Sequence, residues 1–146
     1  MTRRFVLWFG LALAAIIAIA AVVDANYDRG GPDASVKSYC SYLINYGNKL
    51  PTLAEREAVG GNFTDTFFTT IGAPTRYSKF LRRLSDRSPS LTLDIVSLAY
   101  MFEDLATAIN NSSDDAARIA TGHAFLAERA PLLNVVGEWN ADHCHT

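Results

Sequence analysis

The most reactive side chains gather near the end of the chain, in Asp142-His143-Cys144-His145. Imidazole and thiolate are good ligands for zinc or copper. Neighbours on a short tail do not converge easily on one tetrahedral ion, however, and Cys144 has a competing use in pairing with Cys40. No metal site is expected there. His123 stands alone in an Ala-rich helical stretch, and no Cys-x-x-Cys-His run exists for haem attachment. A Gly-x-Ser-x-Gly nucleophile elbow is also missing. Glu55/Glu57 and Glu103/Asp104 read as solvent-facing helix charges, and Asp114/Asp115 as partners of a helix N-terminal dipole. Gly30-Gly31 and Gly60-Gly61 are chain breakers rather than phosphate-cradling loops. These spacings supply no catalytic residue and no cofactor site, so the chain reads as a non-enzyme.

Two groups could serve binding instead. Arg76, Lys79, Arg82, Arg83 and Arg87 fall within one short stretch, opposed only by Asp86. On a helix they lie largely opposite Tyr77, Phe80, Leu81 and Leu84. Such a face can dock on lipid phosphates or an acidic partner, or it can be the ordinary solvated side of a core-packed helix. Tyr39, Tyr42 and Tyr46 share one side of another helix, where they form either a partner-binding ridge or a core lining with hydroxyls at its edge. The candidate partner or lipid contacts are therefore Arg76, Lys79, Arg83, Arg87, Tyr39, Tyr42 and Tyr46.

The elements that must position these groups are helical throughout. Ser35 can cap a helix bearing Val36, Tyr39, Cys40 and Leu43 at steps of three and four, which Pro51 stops. Thr52 and Glu55 have capping-box spacing for a short second helix. A Phe-rich stretch, Phe63, Phe67, Phe68 and Ile71, runs to Gly72. Pro74 begins a helix that reaches about Arg87, and Ser88-Pro89-Ser90 breaks it. Ile95, Leu98, Ala99, Phe102, Leu105, Ala106 and Ile109 keep helical period over several turns. Ser113 with Asp114 and Asp115 starts another helix, and Pro131 is expected in the first turn of a last one bearing Leu132, Leu133, Val135, Val136 and Trp139. The expected fold is an all-α bundle of four or five helices over residues 35–146, after a linker at 26–34.

Ahead of the linker, Arg3 and Arg4 precede an apolar run from Phe5 to Val23, interrupted only by Gly10. As a helix, the run would be roughly 28 Å long, near the thickness of a bilayer's hydrocarbon core. Residues 1–25 are thus expected to be a membrane anchor, touching lipid through residues 5–23. A cleaved signal with small residues near Val23-Asp24-Ala25 is the alternative. The basic start places the N-terminus in the cytoplasm and the domain on the extracytoplasmic side of the cell membrane. In that oxidising compartment Cys40 and Cys144, the only two cysteines, are expected to form a disulfide that clips the first exported helix to the last. The apolar run supplies 18 of the hydrophobic residues that make up 49% of the chain, about a quarter of them. Beyond Asp24 the formal charge is about −3, too acidic for a nucleic-acid binder.

The basic start and apolar helix, Tyr39-Cys40-Ser41-Tyr42-Leu43, the Ser88-Pro89 break and Trp139-Asn-Ala-Asp-His-Cys144 carry a resemblance. In these features the chain resembles small exported or membrane-anchored all-helical proteins of actinobacteria with a cysteine at each end of the helical domain. It departs from them in lacking a lipobox and in its Phe-rich segment from Gly60 to Gly72. The resemblance implies an extracytoplasmic location and no particular activity. By analogy with single-anchor proteins of this sort, the expected role is that of an interaction protein, an accessory subunit of a larger respiratory or envelope complex. The alternative is a module that holds a small apolar or envelope ligand between its helices, using the Phe63–Ile71 segment.

Overall fold

The hydroxyl of Ser35 accepts the Ser38 N–H at 3.0 Å and starts α1, Val36–Gly47. A computed structural model describes residues 30–145, and the anchor expected from residues 1–25 lies outside them. Tyr39 and Tyr42 turn inward from α1. Gly47 ends it at a close approach, since an added Cβ would meet the Val59 side chain at 2.8 Å. A reciprocal cap between Thr52 and Glu55 then opens α2, Leu53–Val59. The Phe-rich stretch forms a short helix, α3, Asp65–Thr69, which drives Phe67 and Phe68 completely into the core. Gly72, at φ +77°, makes the left-handed turn into α4, Ala73–Ser85, with Pro74 in its first turn.

The hydroxyl of buried Ser88 accepts the Leu91 N–H at 2.7 Å, tightening the turn into α5, Thr92–Asn110. The two helices run antiparallel. Ser78 Oγ donates to the Ala99 carbonyl at 2.7 Å, and Arg82 holds Glu103 through two nitrogens at 2.9 and 2.8 Å. Phe102, Leu98, Leu105 and Ile95 of α5 form the middle of the core against Leu84, Leu81 and Phe80 of α4. The linker residues Gly30 and Gly31 lie on the same turn, where the Gly31 N–H donates to the Asp86 carbonyl at 2.8 Å.

Asp114 accepts the Ala117 N–H at 2.8 Å and begins α6, Asp115–His143. The sequence predicts a break at Pro131, but α6 passes through it without interruption. Proline deprives the carbonyl four residues back of its partner and crowds it. That residue is Ala127, and it and Pro131 both lie on the exposed side of the helix. Phe125 and Leu126 before the proline and Leu132, Leu133 and Val136 after it pack on one core, which keeps the two halves in a single helix.

The described residues are all-α, with six helices and no strand. The count exceeds the expected four or five, and the unexpected helix is α3, formed by the Phe-rich stretch. None of these helices is long and apolar enough to cross a membrane.

Candidate functional site

Cys40 of α1 and Cys144 at the end of α6 are joined in a disulfide, with their Cα atoms 5.2 Å apart and a sequence separation of 104. The bond fastens the second half of α6 across α1. Near it Tyr39 donates from its hydroxyl to Asn140 Oδ1 at 2.7 Å, and its ring meets Trp139 edge-on with centroids 4.9 Å apart. Trp139 stacks in turn on His143 at 4.2 Å. Burial pushes the Tyr39 phenol well above its ordinary pKa, with the Asn140 hydrogen bond acting more weakly the other way. Tyr77, also buried, is raised by desolvation, and its hydroxyl donates to the Ala58 carbonyl at 3.3 Å.

Between this fastened half-helix and the bundle lies a cleft of about 770 Å³. Its floor is Leu81, Leu84 and Phe80 of α4 with Leu98 of α5, and its sides are Leu43 and Ile44 of α1 and Ala58 and Val59 of α2. The roof is one stripe of α6 at steps of three and four: Leu126, Ala130, Leu133, Gly137, Ala141 and Cys144. Three members of that stripe are Gly or Ala. A Cβ added at Gly137 would meet nothing within 4 Å. The opposite situation holds one half-helix earlier. There a Cβ on Gly122 would lie 2.2 Å from the Phe68 ring, so α6 closely approaches the bundle at Gly122, whereas Gly137 is exposed and faces open space. On this stripe the exposed Gly137 and Ala141 put little side-chain volume over the cleft.

The basic side of α4 is largely occupied within the chain. Arg76 bonds the fully buried Glu55 through Nε at 2.7 Å and Nη2 at 3.0 Å, and this pairing raises the guanidinium's pKa. Arg82 is likewise raised by its bonds to Glu103. The Arg87 guanidinium lies 4.1 Å from the Tyr42 ring centroid. Lys79 and Arg83 are exposed. Of the three tyrosines, Tyr39 and Tyr42 are buried, while Tyr46 stacks on Tyr42 at 4.4 Å and remains half exposed.

From the Phe63–Ile71 segment only Phe63 reaches the cleft. Phe67 and Phe68 are core, and Ile71 projects from the turn with 92% of its surface exposed. The tail cluster is also dispersed, Cys144 in the disulfide and His143 on Trp139. Among the described residues no three of His, Cys, Asp and Glu converge as a metal would require. His123 pairs with Asp65 at 2.6 Å on the surface.

Sequence reasoning missed the cleft because its signal is an absence of bulk. The available clue was Ala130, Gly137 and Ala141 recurring on the same helical face as Leu126 and Leu133. No family model, curated protein or solved structure matches the chain.

Proposed function

We propose that the helical domain is an exported module that holds a small apolar ligand in the cleft between α6 and the α1, α2 and α4 helices, beside the membrane to which residues 5–23 tether it. The observation that carries this reading is the Gly/Ala-lined roof over a leucine floor. A volume of this size lies within the range of small-molecule pockets, and its lining is the apolar wall with few polar groups that such pockets share. A cleft opened only by poor packing would cost stability with no return. Here the disulfide and the Tyr39–Asn140 bond fix the end of the roof to α1.

The test is a titration of the full chain, in nanodiscs of zwitterionic lipid, with the neutral fluorophore N-phenyl-1-naphthylamine, alongside Gly137→Leu. The variant carries the same N-terminal segment, so probe dissolved in lipid cancels between the two. Saturable emission in the native chain and its loss in Gly137→Leu support the reading. Equal emission from both, or probe exclusion with concentration-dependent self-association through this face, overturns it.

The accessory-subunit reading draws on a different observation. Leu53 and Ile71, 64% and 92% exposed, flank the Glu55–Arg76 pair, because Arg76 also donates to the Ile71 carbonyl and Glu55 bonds Thr52. This apolar pair beside exposed Arg56 would suit a protein contact. Stoichiometric co-purification of one partner, lost in Leu53→Asp/Ile71→Asp, would favour it.

A further inference from the structure

The electrostatics of the cleft select among apolar ligands. Among the described residues that line it there is no Lys, Arg or His, and their single charged side chain is Glu138, exposed at the rim. Helix termini act in the same direction. Ala141 and Cys144 in the lining belong to the C-terminal turn of α6, and Val59, Gly60 and Gly61 to the C-terminal end of α2. A helix C-terminus carries partial negative charge on carbonyls that have run out of intrahelical partners. The last turn of α6 satisfies the Asn140 carbonyl through the Cys144 N–H, and that of α2 satisfies Glu57 and Ala58 through Gly60, Gly61 and Asn62. Both C-terminal ends, which carry the negative poles of their helices, contribute residues to the lining. Asn134, also exposed at the rim, can donate or accept and adds no charge.

A carboxylate or phosphate head placed at this mouth would face a carboxylate and two negative helix ends, with no cation in the lining to receive it. An ammonium head would meet the same groups as partners, at a site where the apolar walls weaken solvent screening. We propose that the cleft takes amphipathic molecules with an apolar body and a cationic head, accepts neutral ones less tightly and discriminates against anionic ones such as free fatty acids. This rests on the cleft being a ligand site and specifies its ligand's charge, with Glu138 as the side chain that reads it.

The experiment is competition against bound N-phenyl-1-naphthylamine by three compounds with one apolar body: 4-phenylbutylamine, 4-phenylbutanol and 4-phenylbutyrate. The full chain is used in zwitterionic nanodiscs at neutral pH, and only the signal absent from Gly137→Leu is counted. The amine should displace the probe about tenfold more tightly than the acid, with the alcohol between them. Glu138→Lys, an exposed change that leaves the core untouched, should reverse the order of amine and acid. Equal displacement by all three, or an order that Glu138→Lys leaves as it was, overturns the charge assignment while leaving the apolar site standing. Failure of the probe itself to bind overturns both.

Discussion

Single residues account for the domain's most sensitive points. Glu55 is wholly buried, and its charge is met by Arg76, the Thr52 hydroxyl and the Thr52 N–H. Arg76→Ala leaves that carboxylate without its cation and should cost about 3 kcal/mol, which urea unfolding would measure. Arg83→Ala, on the exposed side of the same helix, should change stability by under about 0.5 kcal/mol. Tyr39 and Tyr77 give a pH dependence with a definite sign. Each phenol has its pKa raised in the folded state, so the stability gained by keeping it neutral is fully present below the unfolded value, about 10, and is lost as pH climbs beyond it. Circular-dichroism unfolding should therefore show stability level with respect to these groups up to about pH 10 and falling above it. Phenolate absorbance from the two tyrosines should appear only as the chain unfolds, and Tyr77→Phe should soften the alkaline fall.

At the scale of elements, α6 carries two glycines whose substitution should have opposite signs. Gly122→Ala sets a methyl into the Phe68 ring and should destabilise by about 2 kcal/mol despite alanine's better helix propensity. Gly137→Ala meets open space and should stabilise by up to about 1 kcal/mol. Thermal melts of the two variants check the pair. These helices also mark how much of the fold the sequence discloses. The start of α1, the capping box of α2, the turn at Gly72 and the long α5 are all written in local residues, because a cap or a breaker acts over one turn. Pro131 misleads for a related reason. Its local cost is real, but it is set by whether Ala127 faces water and whether both halves of α6 share a core, which are tertiary facts. The disulfide was legible from the expected compartment and the count of two cysteines. The cleft was not, since small residues on a helix face signal either a close approach, as at Gly122, or a gap, as at Gly137, and only the opposing surface decides.

On the scale of the whole molecule, the bundle is divided by how α6 is used. Its first half closes the Phe-rich core, and its second half packs Leu132, Leu133 and Val136 on the core beside the cleft and is tied to α1 by the Cys40–Cys144 bond. In the chain-entropy account a disulfide spanning about a hundred residues contributes on the order of 4–5 kcal/mol. Cys40→Ala/Cys144→Ala should lower the unfolding midpoint accordingly, with amide exchange quickening first beyond Pro131 and little altered in α4 and α5. A domain that spends its one covalent cross-link on the roof of a cleft is consistent with the cleft being its working part. Methyl NMR of the full chain, recorded as 4-phenylbutanol is added, tests this most directly. The account predicts saturable shifts for Leu43, Leu81, Leu84, Leu133 and Val136, with Leu53 and Ile71 unmoved. Shifts confined to Leu53 and Ile71, or no saturable shift at the cleft, would contradict it.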